Sequence, residues 1–317
     1  MTGPAPARAD GRRRSTAPEV RLDLNTLPFV NERALRRAFA GRAWGALGAY
    51  PDPTAEPLRA AIGDRLGIGI DRVWAGNGAD EILERFVRQC TPPGGVIAIL
   101  EPTFLLYEWL ARTNGRRIVR VPAAAELPVD ALVRCRADAY VIASPNNPTG
   151  AAFPRGSIEE LIARTRGSVL LDEAYAEFAG QDFRDLGLSN PRVLVVRTFS
   201  KAYGLPGIRV GYAVGHPAAV RRLAAATPPF HLNAYSQRAA IAALADPTFV
   251  RRAVDFVRHG LPLLRDGLRR QGWPERPSAA NFVLVGPIRT ADAIAARLRS
   301  RGWRLRYLPA RPPRLGG

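Results

Sequence analysis

Arg197-Thr-Phe-Ser-Lys-Ala-Tyr-Gly-Leu-Pro-Gly-Ile-Arg-Val-Gly-Tyr212 is the stretch on which the reading of this chain turns. It carries Lys201, the sole lysine in 317 residues; every other one of the 46 Lys and Arg side chains is arginine. An amine can lose its proton, attack a carbonyl and form a Schiff base, whereas a guanidinium stays protonated. A solvated surface lysine is the bland alternative, and the neighbours argue against it. Val193-Leu-Val-Val196 reads as a buried strand. Lys201 follows its carboxyl end, and Gly204, Pro206 and Gly207 then mark a tight loop. In open α/β sheets that edge is where ligands bind.

Outward from this stretch, the same pattern repeats. Val96-Ile-Ala-Ile-Leu100, Ile118–Val121, Ala139–Ala143, Ser168–Asp172 and Ile208–Val214 read as further strands. Helical patterns stand between several of them, as at Ser157–Arg166. Strands alternating with helices give an α/β fold with a mostly parallel central sheet sandwiched by helices. From Pro217 the pattern changes to long helices at 217–226, 234–244 and 248–271. A strand at Asn281–Val285, a helix at Ala291–Arg301 and a strand at Trp303–Tyr307 follow, a smaller α+β unit. Near the start, Asn31 to Ala40 reads as a helix, and Thr54 is the expected cap of a helix bearing Leu58 and Ile62. The expected organisation is a disordered basic tail over 1–20, an arm over 21–45, a large ligand-binding domain over 46–230 and a small domain over 231–317.

Composition narrows the function classes. A hydrophobic content of 47% is ordinary for a globular protein. No apolar run approaches the roughly 20 residues of a membrane span, so no membrane role is expected. Cys90 and Cys135 lack metal-ligand spacing and suit a reducing compartment, so the expected location is cytoplasmic and no metal is expected. The net charge of +18 invites a nucleic-acid reading. The arginines are spread along the chain, however, without a basic-aromatic or zinc motif, so attraction of anionic small molecules is the expected consequence.

Three polar residues fall just past three strands: Asn147, Asp172 and Lys201. A buried strand does not ordinarily end in a carboxylate without a partner. With Tyr175 three residues after Asp172, they suggest one shared site at that edge. The set fits pyridoxal 5'-phosphate. Lys201 would hold the aldehyde. Asp172 would keep the ring nitrogen protonated and the ring electron-withdrawing. Asn147 and Tyr175 would hydrogen-bond the phenolic oxygen, and Tyr107 would stack on the ring. For the phosphate, the candidates are the N–H groups of Ala79 and Asp80 at a glycine-rich helix entry, the Ser200 hydroxyl and Arg209.

Five segments, Asn77-Gly-Ala-Asp-Glu81, Pro102-Thr-Phe-Leu-Leu-Tyr107, Ser144-Pro-Asn-Asn-Pro-Thr-Gly150, Asp172-Glu-Ala-Tyr175 and Thr198 to Arg209, together resemble the class I/II aminotransferases of the type I pyridoxal-phosphate fold. Within that group the chain is most similar to the histidinol-phosphate aminotransferases. Pro228-Pro-Phe-His-Leu-Asn233 and Ala279-Ala-Asn-Phe-Val-Leu284 share the likeness, which runs from about Leu22 to Tyr307. The resemblance implies a transaminase of small amino and oxo substrates that carry a phosphate in some members. It also implies a homodimer, with Tyr50 of one subunit reaching the cofactor phosphate of the other. Lys201 would serve as tether and general acid/base, with Asp172 and Tyr175 in support.

Two departures stand out. The family arm reads Asn-x-Asn-Pro-Tyr, and here Leu27 and Phe29 replace its second Asn and its Tyr, which removes a hydroxyl that helps hold a substrate phosphate. Family members also continue past the equivalent of Tyr307 into a strand bearing a substrate-gripping arginine. Arg314 is the candidate stand-in, with flanking prolines against a regular strand, so a small domain cut short at its end is expected. Decarboxylation or another amino-acid transformation of specialised or cobalamin-type biosynthesis is the alternative reading. A non-catalytic binding module is a third.

Overall fold

A computed structural model describes residues 19–40 and 48–308. Most of the expected basic tail, part of the arm and Arg314 lie outside the described residues. The described chain forms two compact units, one from 19–25 with 287–308 and one from 26–286. In the first, β1 (Val20–Arg21) pairs in parallel with β9 (Trp303–Arg304), and the helix Ala291–Ser300 precedes β9.

The second unit holds, among the described residues, a seven-stranded sheet. Its strands are β2 (Val73–Asn77), β3 (Val96–Glu101), β4 (Arg117–Pro122), β5 (Ala139–Ala143), β6 (Ser168–Asp172), β7 (Val193–Thr198) and β8 (Val210–Gly215), in the spatial order β2-β8-β7-β6-β5-β3-β4. β3 to β7 run parallel, whereas β8 is antiparallel to both β7 and β2. The parallel strands are near-continuous apolar runs because both faces are covered. Successive side chains leave a strand on opposite faces. Leu170, Leu194, Val196, Ile97 and Ile99 thus pack with Ile82, Phe86 and Leu110 on one side. Val169, Leu171, Val193, Val195 and Leu100 pack with Phe153, Ile158 and Leu161 on the other. A third cluster joins Val73, Tyr212 and Phe199 to Leu58, Ile62 and Ala239.

The helices near the amino end depart from expectation in one detail. Asn31 caps Glu32–Ala38 by accepting from the Ala34 N–H at 3.0 Å. Thr54, however, does not cap the helix Glu56–Leu66. Asp52 Oδ1 accepts from the N–H groups of Thr54 and Glu56, both at 2.9 Å, because a carboxylate two residues earlier reaches both donors.

The strand expected over Asn281–Val285 does not form. Only a bridge between Glu275 and Val285 is present, flanked by hydrogen bonds from Arg276 N–H to the Leu284 carbonyl and Gly286 N–H to the Pro274 carbonyl. Pro274 has no N–H to offer a ladder, which keeps this pairing to a few residues. The last expected strand shortens to the two residues of β9. The division into a large domain ending near 230 and a small domain beyond it is kept as a proposal.

Candidate active site

β2 is antiparallel to β8, and β8 to β7, so β2 points the same way as β3 to β7. The carboxyl ends of β2, β3, β5, β6 and β7 therefore meet the amino end of β8 along one edge. The register carries the alignment across: Asn77 stands opposite Val210, Thr198 opposite Gly211, Val196 opposite Asp172, and Asp172 opposite Ala143. That edge is where Ala79, Asp80, Asn147, Asp172, Tyr175, Ser200, Lys201 and Arg209 all leave the sheet.

Asp172, only 6% exposed, ends β6. Its Oδ1 accepts from the Ala174 N–H at 3.0 Å, and its Oδ2 accepts from the Tyr107 hydroxyl at 2.7 Å. Burial pushes the Asp172 carboxyl above the usual range, against the two hydrogen bonds and the positive charge of Lys201 that favour its ionised form. Burial and the neighbouring Asp172 carboxylate hold the Tyr107 phenol well above its usual range, so it stays a donor.

Lys201 is half-buried, three residues past β7. Its Nζ lies 5.4 Å from the centre of the Tyr175 ring, within cation–π range. Tyr175 is itself buried, packed edge-on by Phe282 with ring centres 5.1 Å apart. Asn147 Nδ2 points at the Tyr175 hydroxyl from 3.5 Å, the outer limit of hydrogen bonding.

The other end of the site is a cradle. The helix Gly78–Cys90 starts directly from β2 without a side-chain cap on its first N–H groups, and Gly78 sits at φ +80°. A Cβ at Gly211 would lie 2.4 Å from the Ala79 nitrogen, so only glycine lets β8 pass this close to the turn. Arg209, in the left-handed region at φ +51°, lays its guanidinium over Gly78 and donates from Nη2 to Asp80 Oδ2 at 2.8 Å. N–H groups at a helix start without a side-chain cap, beside a guanidinium, suit a phosphate. Ser200, also buried, donates its N–H to Thr198 Oγ1 at 3.1 Å. Tyr50 is a surface residue of this chain. It is 85% exposed, and its ring meets Phe230 at 5.0 Å.

Two residues that the sequence reading passed over brace the site. Glu173, fully buried, accepts from Arg197 Nε at 2.7 Å and from the Phe183 N–H at 2.7 Å. Burial pushes Glu173 up to about 7 even though Arg197 pulls it down. A signal was available: opposite charges at the ends of two apolar strands, Val169-Leu-Leu-Asp-Glu173 and Val193-Leu-Val-Val-Arg197. The Asp80 side chain was likewise overlooked as the partner of Arg209.

The arm position Phe29 lies under the Arg252 guanidinium, 4.5 Å from its ring centre, and edge-on to Phe249 and Phe256. It lines a groove of about 1060 Å³ shared with Asn31, Gly204, Ile208 and Phe249. Among the described residues no helix is long and apolar enough to cross a membrane.

Comparison with known proteins converges on one family. The family model described as aminotransferase class I and II matches residues 19–316. A histidinol-phosphate aminotransferase of Thermobifida fusca is 37% identical over 280 residues, covering 85% of this chain and 76% of the relative. The crystal structure of histidinol-phosphate aminotransferase from Sinorhizobium meliloti in complex with pyridoxal-5'-phosphate superposes with a TM-score of 0.86 at 27% identity, covering 92% of this chain and 83% of that one. The L-threonine-O-3-phosphate decarboxylase of Porphyromonas gingivalis shares the fold, with a TM-score of 0.79 at 22% identity over 90% of this chain and 88% of its own.

Proposed function

The chain belongs to the class I and II aminotransferase family, and from that premise we propose that it moves an amino group between an amino acid or amino-alcohol phosphate, histidinol phosphate foremost, and an oxo acid, using pyridoxal 5'-phosphate. The observation that carries this reading is the convergence of Lys201, Tyr175 and a buried Asp172 at one sheet edge, beside an uncapped helix start under Arg209.

The residues present fit that cofactor. Asp172 is an acceptor with two donors already in place and lone pairs left for a third. The Gly78–Cys90 helix start and Arg209 offer N–H groups and positive charge to a phosphate. When bound, pyridoxal phosphate supplies an aldehyde that exchanges amino groups and a ring that draws electrons from the substrate α-carbon.

The chain's own side chains do the rest. Lys201 would hold the aldehyde carbon covalently. Once released by the incoming amine, it would take the substrate α-proton and deliver it on the same face. Asp172 would hold a proton on the ring nitrogen. Asn147 and Tyr175 would hydrogen-bond the phenolic oxygen, and the Tyr107 ring would stack on the cofactor. The N–H groups of Ala79 and Asp80, with Ser200 and Arg209, would take the phosphate. A homodimer, in which the exposed Tyr50 is lent to the neighbouring subunit's phosphate, and a cytoplasmic location complete the proposal. Phe29 and Arg252 border the groove where a substrate phosphate would lie, with the guanidinium in place of the missing tyrosine hydroxyl.

Mixing purified enzyme with histidinol phosphate and 2-oxoglutarate tests the reading. Appearance of glutamate with loss of the cofactor's visible absorbance is expected. Carbon dioxide released without any oxo product, when amino acids are supplied in place of histidinol phosphate, would instead favour a decarboxylase. A visible band that no amino compound perturbs would leave only a binding module.

A further inference from the structure

We propose that Tyr107 is a positioning residue whose hydroxyl holds the Asp172 carboxylate in place before the cofactor arrives, so that the site selects a ring bearing a nitrogen that can be protonated. The inference rests on the pyridoxal-phosphate reading and goes beyond it, because it assigns the phenol a task distinct from stacking.

The geometry starts with packing. Tyr107 is 2% exposed and sits on the helix Leu105–Thr113, which follows β3. Phe104 packs against its ring edge-on, with centres 5.6 Å apart and planes at 89°. The direction of the hydroxyl is therefore set by the core and not by a ligand. It points at Asp172 Oδ2, 2.7 Å away, while the Ala174 N–H points at Oδ1.

Both carboxyl oxygens thus face donors. The ionised form accepts from both donors with lone pairs to spare, whereas a proton on either oxygen takes up one of those lone pairs. The groups around Asp172 divide in their effect. Burial and the negative charge of Asp80 oppose ionisation, whereas Tyr107, Ala174 and Lys201 favour it. Tyr107 itself is faced by Asp172, Tyr175 and Asp80, all of which disfavour loss of its proton. What remains on Asp172 is acceptor capacity that the Tyr107 and Ala174 donors leave unused. A protonated ring nitrogen supplies a third donor, and a ring with C–H in its place does not.

The test compares two ligands on the full chain by equilibrium dialysis: pyridoxal phosphate, and its carbocyclic analogue with C–H replacing the ring nitrogen. Y107F keeps the ring and removes the donor. Loss of one hydrogen bond to a charged group should weaken pyridoxal phosphate by at least about tenfold, with the analogue changed by less than about twofold. In a D172N background the same substitution should have no further effect, since it acts through that carboxylate. Equal weakening of both ligands, or of neither, would show that Tyr107 only packs, and the proposal would be overturned. Should Y107F fail to fold, Y107H returns a ring donor: retained preference for the nitrogen-bearing ligand supports the proposal, and lost preference overturns it. A wild-type protein that binds no pyridoxal phosphate at all would instead sink the cofactor reading, so the two failures are told apart.

Discussion

Arg197 and Glu173 form a buried ion pair, 2.7 Å between guanidinium and carboxylate, four residues before Lys201 and one residue after Asp172. It ties the ends of β6 and β7 together just where each strand delivers a residue to the site. Asp182 adds a second carboxylate 3.3 Å from Arg197.

Removing the cation alone should be costly. R197M leaves Glu173 buried without its countercharge, and such breaks cost about 3–5 kcal/mol. Urea unfolding should show that loss, and a combined R197M/E173Q chain should recover part of it. A single variant as stable as the parent would mean that the pair contributes little to the fold.

Glu173 should also give stability a pH dependence of definite sign. Its folded pKa, about 7, lies above the ordinary 4.5, so the native state holds the proton more tightly. The stability this confers is complete below 4.5 and is lost as pH rises to about 7. Asp172 and Glu177, also raised by burial, act in the same sense. Glu275, held low by Arg265, acts in the opposite sense, its contribution being lost as pH falls. The unfolding free energy of the wild type minus that of E173Q isolates the one group, and it should shrink between pH 5 and pH 7. A difference that grows instead would mean that Arg197 wins and keeps Glu173 ionised.

K201R keeps a cation and removes the nucleophile. Transaminase turnover should fall by about a hundred- to ten-thousand-fold, the usual contribution of a positioned acid/base. Borohydride treatment with pyridoxal phosphate should add mass at residue 201 in the parent and nowhere in the variant. An adduct found elsewhere would displace Lys201 from its assigned role.

R209A should separate phosphate recognition from ring recognition. Loss of a charge-assisted hydrogen bond of about 1.5–3 kcal/mol should weaken pyridoxal phosphate by about ten- to a hundredfold. Pyridoxal, which has no phosphate, should bind both proteins alike. Equal weakening of the two compounds would place Arg209 outside the cradle.

At Gly211 the added methyl of G211A meets the Ala79 nitrogen at 2.4 Å. Overpacking of this kind costs about 1–3 kcal/mol. The phosphate cradle should suffer more than the fold does, measured as weakened pyridoxal phosphate binding at a temperature where the variant is still folded.

Much of this site was legible because its residues interrupt otherwise apolar strands. Asp172 after Val169-Leu-Leu171, and Lys201 after Val193–Val196, stand out by contrast with what precedes them. Strand direction was not legible. The residues of β8 would suit either orientation, and the turn that reverses the chain depends on Arg209 adopting a left-handed backbone that its side chain does not advertise. The Arg197–Glu173 pair was hidden for a related reason. Each residue alone reads as a polar strand end, and only the register that sets Asp172 opposite Val196 brings the two charges together. Asn281–Val285 misled in the opposite way. Its apolar character suits a strand, yet a strand also needs a partner edge, which no local pattern reports.

Because β8 turns back beside β7, a single loop of nine residues, 201–209, begins at the amine and ends at the guanidinium. If both grip the same small molecule, its length from aldehyde to phosphate serves as a gauge block for the polypeptide. The span between is then fixed by that molecule, and lengthening the loop by even one residue would leave one grip or the other out of reach.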